Sequence, residues 1–174
     1  MLFRSLYRQA AAEWREALKF APDNAEAQTG LAWSLFRGGD FARALPLLTD
    51  LIKSKPESRD LHFLCGASLL NLDQPEKAVP YLETAARLDP QFLPAQAALG
   101  HALLLAGKAA DAVPHLQAAL PSDEDATVHF QLLRAYQLTG QTGLARQALT
   151  AYQEARTSSA ARKKMDEGGF ITPP

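Results

Sequence analysis

A single cysteine, Cys65, is present among the 174 residues. A lone cysteine excludes an intramolecular disulfide and a zinc site built on a cysteine pair. Its neighbours Leu64 and Gly66 belong to an apolar stretch, so we expect a small buried residue and not a reactive thiol. Because proteins without disulfides occur on both sides of a membrane, the redox compartment stays open.

Long apolar runs and an excess of one charge are also missing. No run approaches the ~18 residues that span a bilayer, and the first residues mix arginines with apolar side chains, unlike a signal peptide. The sequence as given therefore predicts no membrane span, and a cytoplasmic location unless a leader precedes it. Lys and Arg total 18 against 19 Asp and Glu, so no basic field favours nucleic acid. The cluster Arg162–Lys164 is followed by Asp166 and Glu167, which is typical of a solvated helix end.

Motifs of catalysis, phosphate binding and metal binding are absent as well. The sequence has neither a P-loop nor a nucleophile elbow. None of the four histidines, His62, His101, His115 and His129, has a second histidine at metal-ligand spacing on one helix face. The acidic triplet 123–125 precedes a predicted helix, where carboxylates favour the positive end of the helix dipole. We expect no enzyme activity, no cofactor and no metal.

What the sequence does contain is a repeat of 34 residues. Several independent columns share this period, which makes chance a weak explanation. The columns are Pro22, Pro56 and Pro90; Ala10, Ala44, Ala78 and Ala112, with Ala145 after 33; Trp14, Leu48, Leu82, Leu116 and Leu149; and the pairs Leu31-Ala32, Cys65-Gly66, Leu99-Gly100 and Leu132-Leu133.

These columns resemble the tetratricopeptide repeat, whose pattern is W-x2-L-G-x2-Y, then A-x3-F, then P. The match runs from residue 6 to residue 157; in the third unit the closing proline is displaced to Pro121, and the fourth has none. The resemblance implies an all-α, right-handed superhelical solenoid of antiparallel helix hairpins, with about four full units. The resemblance is specific for the fold but not for any one function, because many unrelated proteins use this scaffold.

The repeat columns divide the chain into segments. We predict an N-terminal half repeat (residues 1–24, second helix only), four units at 25–58, 59–92, 93–125 and 126–157, and a C-terminal helix extension with a loose tail at 158–174. Pro46, Pro80 and Pro114 also recur every 34 residues. We place them near the start of each second helix, where a missing N–H costs little.

The two ends of the array differ. The half repeat lacks the first helix that would pair with it, so the chain is expected to be a fragment of a longer repeat protein. The face formed by Leu6, Ala10 and Trp14 is expected to meet another copy or a missing repeat. The last helix continues to Gly168-Gly169 with a polar outer surface, which suits a cap that ends a solenoid.

The resemblance implies a concave surface lined by the first helix of each unit. The predicted partner-binding residues are Trp33, Phe36, Arg37, Phe63, Leu70, Asn71, His101, Leu104, Phe130 and Arg134. One subgroup of the family clamps a carboxylate with basic residues and asparagines here, but Thr29, Trp33, Ala97 and Ala98 do not fit such a clamp. An apolar helix or extended segment of a partner fits better, although each of these residues could instead pack against the neighbouring unit.

Three functions follow from this reading. The first is a scaffold for protein–protein interaction that binds a peptide or helix in an apolar concave groove. The second is self-assembly, with homo-oligomers formed through the N-terminal half repeat. The third is a non-catalytic part of a larger multidomain protein. The sequence names neither the partner nor the pathway.

Overall fold

A computed structural model describes residues 2–168, with the side chains of residues 3–164. Throughout this range the chain is helical, with no strand, and consecutive helices pack against each other in chain order. The expected all-α solenoid is confirmed. The helices are α1 (Leu2–Phe20), α2 (Ala25–Arg37), α3 (Phe41–Ser54), α4 (Arg59–Asn71), α5 (Pro75–Leu88), α6 (Leu93–Leu105), α7 (Ala109–Ala119), a 3-10 turn (Leu120–Ser122), α8 (Thr127–Leu138) and α9 (Thr142–Gly168).

The solenoid has two layers. In addition to the hairpin contacts, α4 touches α6 and α6 touches α8, so these first helices form a continuous inner layer. The second helices α1, α3, α5 and α7 therefore form the outer face.

The division into units stays a prediction, and the expected loose tail from Phe170 to Pro174 lies outside the described residues. No helix among residues 2–168 has both the length and the apolar character needed to cross a bilayer.

Local sequence explains where the helices begin and turn. The side chain of Asn24 accepts a hydrogen bond from the N–H of Ala27 at 3.0 Å and caps α2, and Ser58 caps α4 in the same way.

The turns within the hairpins need a positive φ at one repeat position. Glycine occupies that position at 39, 107 and 140, with φ of 80°, 75° and 71°. Asp73 takes it at φ 57°, since aspartate tolerates the left-handed region better than most residues.

The placement of the three recurring prolines was wrong. Pro46, Pro80 and Pro114 are inside α3, α5 and α7, each as the sixth residue, and not in the first turn. Each therefore removes a hydrogen bond to the carbonyl four residues earlier. All three are exposed on the outer face, where water can satisfy that carbonyl. This position tolerates proline because of its solvation, not because its N–H was already unpaired.

The core is built from the predicted leucine column. Leu48, Leu82 and Leu116 have no exposed surface, and Leu82 and Leu116 each pack against a glycine of the preceding first helix. A Cβ atom added at Gly66 would come within 2.4 Å of Leu82, and one at Gly100 within 2.6 Å of Leu116. The small and large columns are thus two sides of one close helix–helix approach.

The open face expected on α1 is only partly available. The indole of Trp14 lies over Gly30, 2.5 Å from where a Cβ would be, and it packs against the core. Leu6 is exposed, as are Phe3 and Phe20. The half repeat therefore presents apolar side chains beside Trp14, while Trp14 itself joins α1 to α2.

The acidic triplet performs the structural role that the sequence indicates. Asp125 accepts a hydrogen bond from the N–H of Thr127, and Asp123 accepts one from the N–H of His129, both in the first turn of α8. Asp123 also lies 2.5 Å from Nδ1 of His129, and its side chain is 1% exposed. Glu124 is exposed and contributes only its backbone carbonyl, to Arg162.

Replacing Asp123 by alanine is expected to lower the free energy of unfolding by about 2 kcal/mol, because buried donors at the start of α8 lose their acceptor. Glu124→Ala is the matched control and is expected to change it by less than about 0.5 kcal/mol. Urea denaturation followed by circular dichroism measures both. Equal effects of the two substitutions would contradict a specific role for Asp123.

Candidate functional site

The inner face contains a pocket that spans three first helices, which we call the central pocket. Its volume is about 370 Å³. Four residues come from each of α4 and α6 and three from α8: Phe63, Ala67, Leu70, Asn71, Pro94, Ala97, Ala98, His101, Thr127, Val128 and Gln131. Four of the ten predicted residues, those at 63, 70, 71 and 101, therefore meet in one place.

The central pocket has an apolar floor and a small polar part. The amide of Asn71 donates to the carbonyl of Ala67 at 2.8 Å, which orients its oxygen. Burial lowers the pKa of His101, and the positive charge of Arg134 lowers it further. His101 is therefore neutral at pH 7 and offers one donor and one acceptor. Such a site suits a ligand that has an apolar side chain and a hydrogen-bonding group close to it.

A second pocket, of about 460 Å³, lies between the first two units, and we call it the α2–α4 pocket. Thr29 and Trp33 line it from α2, and Asp60, Leu61 and Leu64 line it from α4. Leu48 of α3, Lys55 and Ser58 complete the wall. Trp33 is 46% exposed, so the structure places this predicted residue at an open apolar surface.

The other predicted residues lie outside both pockets, and several have partners within the chain. Arg37 donates to the hydroxyl of Tyr7 at 3.3 Å and lies 5.1 Å from the centre of that ring. Phe36 makes an edge contact with Phe41.

Near α8, Phe130 contacts Tyr152 of α9 at 5.5 Å between ring centres, yet it remains 43% exposed. Leu104 packs against the core. Arg134 is exposed, and no ion pair or hydrogen bond involves its side chain among the described residues. Of the predicted residues outside the pockets, Arg134 and Phe130 are thus the most available to a ligand.

Part of the central pocket lies outside the predicted residues. Pro94 and Thr127 occupy the second position of their units, and Ala98 and Gln131 the sixth. The signal for them was present: each lies one helical turn, or one residue, from the repeat column of the predicted Phe63 and Phe130, which also contains Ala97. A wider reading of the repeat period would have included them.

His62, His115 and the cysteine show packing roles. His62 is buried, with Nε2 2.9 Å from the carbonyl oxygen of Pro56, and Nδ1 of His115 is 2.8 Å from the amide oxygen of Gln96. Cys65 has no exposed surface. Among the described residues no group of three or more metal-binding side chains converges.

Comparisons with known proteins agree with this fold. Models of the tetratricopeptide repeat match residues 2–59 and 29–92 in one case and 69–135 in another. No curated protein matches the sequence.

Several solved structures share the fold. One, described as "Crystal structure of YrrB: a TPR protein with an unusual peptide-binding site", is 21% identical over 92% of this chain and 84% of its own, with a TM-score of 0.75. "MamA MSR-1 C2" is 21% identical over 91% and 90%, with a TM-score of 0.72. "MamA RS-1 ArsTM double mutant" is 21% identical over 92% and 96%, with a TM-score of 0.78. At these identities the likeness concerns the fold alone.

Proposed function

The chain belongs to the tetratricopeptide repeat family of protein-interaction scaffolds, and on that premise we propose that its inner face binds an apolar peptide or helical segment of a partner protein. The observation that supports this most is the central pocket. It joins three units, and its volume lies within the usual range of ligand sites. Apolar side chains form most of its wall, and a few polar groups stand at its edge.

The α2–α4 pocket extends the same surface. Trp33 and Phe63 lie on consecutive units, and tryptophan and other aromatic residues are often the side chains that dominate binding energy. A segment with apolar residues at helical spacing would fill successive pockets, as in other helix-in-groove complexes. The peptide-binding site in the description of YrrB is consistent with this use of the scaffold.

We predict that Ala97→Arg abolishes binding of such segments. Ala97 lines the central pocket and is partly exposed, so a long charged side chain would occupy the pocket without leaving a cavity in the core. A displayed library of random 15-residue peptides, selected on the wild-type chain, supplies the probes. The selected peptides are expected to share apolar residues at helical spacing and to lose at least about tenfold in affinity for Ala97→Arg, equivalent to roughly 1.4 kcal/mol.

The matched control is Ala110→Arg, an exposed position on the outer face. It should bind the selected peptides as the wild type does, when both variants have equal helicity. Peptides that bind Ala97→Arg unchanged would place the site elsewhere. A selection that enriches no apolar pattern would overturn the proposal.

Self-assembly is a second candidate, favoured by the exposed apolar side chains of α1. Phe3 is 76% and Leu6 55% exposed on the face that has no neighbouring helix among the described residues. Burying such a face against another copy would stabilise a dimer. The Leu6→Glu variant described below tests this contact separately.

A further inference from the structure

The outer face contains a series of grooves between neighbouring second helices. Groove 1 lies between α1 and α3 and has a volume of about 140 Å³. Groove 2 lies between α3 and α5, with about 410 Å³. We give the name groove 3 to the equivalent repeat positions on α5 and around the start of α7, which follow those of groove 2 by 34 residues. Since the repeat places each groove at the same positions of consecutive units, their side chains can be compared directly.

Grooves 1 and 3 have opposite charges at four equivalent positions. Residues of groove 3 follow those of groove 1 by 68 residues, which is two repeats. At every one of the four positions the sign is reversed. The pairs are Arg8 and Glu76, Arg15 and Glu83, Arg43 and Asp111, and Asp40 and Lys108.

The structure brings the charges of groove 1 together. Arg8, Arg15, Arg43 and Asp40 all line it, and Arg43 is ion-paired with Asp40. The hydrogen bond from Arg43 is the main reason why the pKa of Asp40 is lowered, and the charge of Arg8 adds to it. Neither Arg8 nor Arg15 has an ion-pair partner among the described residues. Groove 1 therefore has an unbalanced positive charge.

Two carboxylates of groove 3, those of Glu83 and Asp111, lie near one imidazole. Burial lowers the pKa of His115, while Glu83 and Asp111 both act on it in the opposite direction. Both carboxylates therefore lie near the same imidazole. Glu76, Glu83 and Asp111 are exposed and form no ion pair among the described residues.

Groove 2, between them, is mainly apolar. Leu45, Pro80 and Tyr81 line it, and the positions equivalent to Arg8 and Arg15 are Ala42 and Thr49. Its one charge, Lys77, donates to the side chain of Gln74 at 2.9 Å and has a chain long enough to turn toward solvent. Two other pairs of charges on these helices neutralise each other, Glu16 with Lys19 and Asp50 with Lys53.

We propose that a second copy of this chain docks on the outer face as a two-fold dimer. Groove 1 of each copy meets groove 3 of the other, and the two copies of groove 2 meet at the axis. A two-fold operation exchanges grooves 1 and 3 and maps groove 2 onto itself, which is what an isologous interface requires. The result has an apolar centre and a charged rim, the usual anatomy of a protein interface. It leaves the inner face free for a partner.

Charge complementarity favours a second copy over an unrelated acidic protein. An acidic partner would account for groove 1 alone, whereas a second copy accounts for both grooves, for the reversed fourth position and for the apolar groove between them. Like charges would meet in any arrangement that paired groove 1 with groove 1, so the same charges also select the register.

Sedimentation velocity of charge-reversed variants tests the proposal. One variant is Arg8→Glu/Arg15→Glu, and the other is Glu76→Arg/Glu83→Arg. Each variant alone places like charges at both ends of the dimer, so its dimer dissociation constant is expected to rise at least about tenfold. The wild-type dimer is expected to weaken when salt is added. An equimolar mixture of the two variants restores opposite charges at both ends and is expected to form the heterodimer. That rescue also shows that both variants are folded.

The control variant is Arg146→Glu/Arg156→Glu, which changes exposed arginines of α9 away from the grooves and should dimerise like the wild type. A monomeric wild type at millimolar concentration and low salt would overturn the proposal. So would a mixture that stays monomeric. A dimer that survives both reversals but is lost in Leu6→Glu would overturn it too, and would place the contact on the end face of α1.

Discussion

Leu82→Ala is expected to lower the free energy of unfolding by about 3 kcal/mol. Leu82 has no exposed surface, and its side chain lies against Gly66 of α4 in a close approach that admits no Cβ. Truncation removes apolar contacts and leaves a cavity that the flanking helices cannot close, because their backbones already touch the neighbouring side chains. A loss of this size is a large part of the stability of a domain of this length.

The matched control for Leu82 is Leu149, which occupies the same repeat column. Leu149 is 42% exposed, because no further helix among the described residues covers α9. Leu149→Ala is therefore expected to cost less than about 1 kcal/mol. Urea titrations of both variants, followed by helicity, measure the difference. Equal losses would mean that the repeat position and not the local burial sets the energy.

Cys65 is expected to react with a thiol reagent at least about a thousand times more slowly in the folded chain than in the unfolded one. Burial raises the pKa of the Cys65 thiol from 9.0 to about 12. This higher pKa alone reduces the fraction of Cys65 that is thiolate at pH 8 about a thousandfold. In addition, the side chain has no exposed surface through which a reagent could reach it.

The measurement for Cys65 is stopped-flow labelling with a chromogenic disulfide at pH 8, with and without urea. Since Cys65 is the only cysteine, the signal has one source, and its rate in Leu82→Ala should rise with the unfolded population. Fast labelling of the native wild type, at the rate seen in urea, would contradict the buried position.

The same pKa shift makes stability depend on pH. Below about pH 9 the thiol is protonated in both the folded and the unfolded state, so the stability that its burial contributes is fully present. Between about pH 9 and pH 12 the unfolded thiol ionises and the folded one does not, so roughly 1 kcal/mol per pH unit is lost as the pH rises. The difference between wild type and Cys65→Ala isolates this effect from the titration of lysine and tyrosine.

Periodicity predicted some features well and others poorly. The repeat identified Leu48, Leu82 and Leu116 as members of one column of large residues, and all three lie in the core. Leu149 belongs to the same column but is not buried like the others, since burial depends on whether another helix follows. The prolines at 46, 80 and 114 were misplaced because a period shows that positions are equivalent but not how far each lies from the end of its helix.

For the candidate site, helical phase predicted a face of the solenoid but not the contacts that its side chains make. Phe63 and His101 were named because they share a helical phase, and they do line one pocket. Arg37 was named for the same reason, yet its guanidinium is bonded to Tyr7, thirty residues earlier on α1. Helical phase predicts the direction of a side chain, whereas the partner that it meets depends on how units are rotated relative to one another.

The sequence by itself determined the family, the all-α solenoid and the alternation of small and large columns, because each of these depends on spacing along one chain. Tertiary structure decided which apolar residues are covered, which arginines are already paired, and that the inner face is divided into two pockets. It also gathered Arg8, Arg15 and Arg43 around one groove of the outer face. These properties arise from the packing of residues far apart in sequence, and a linear pattern does not specify the distances between them.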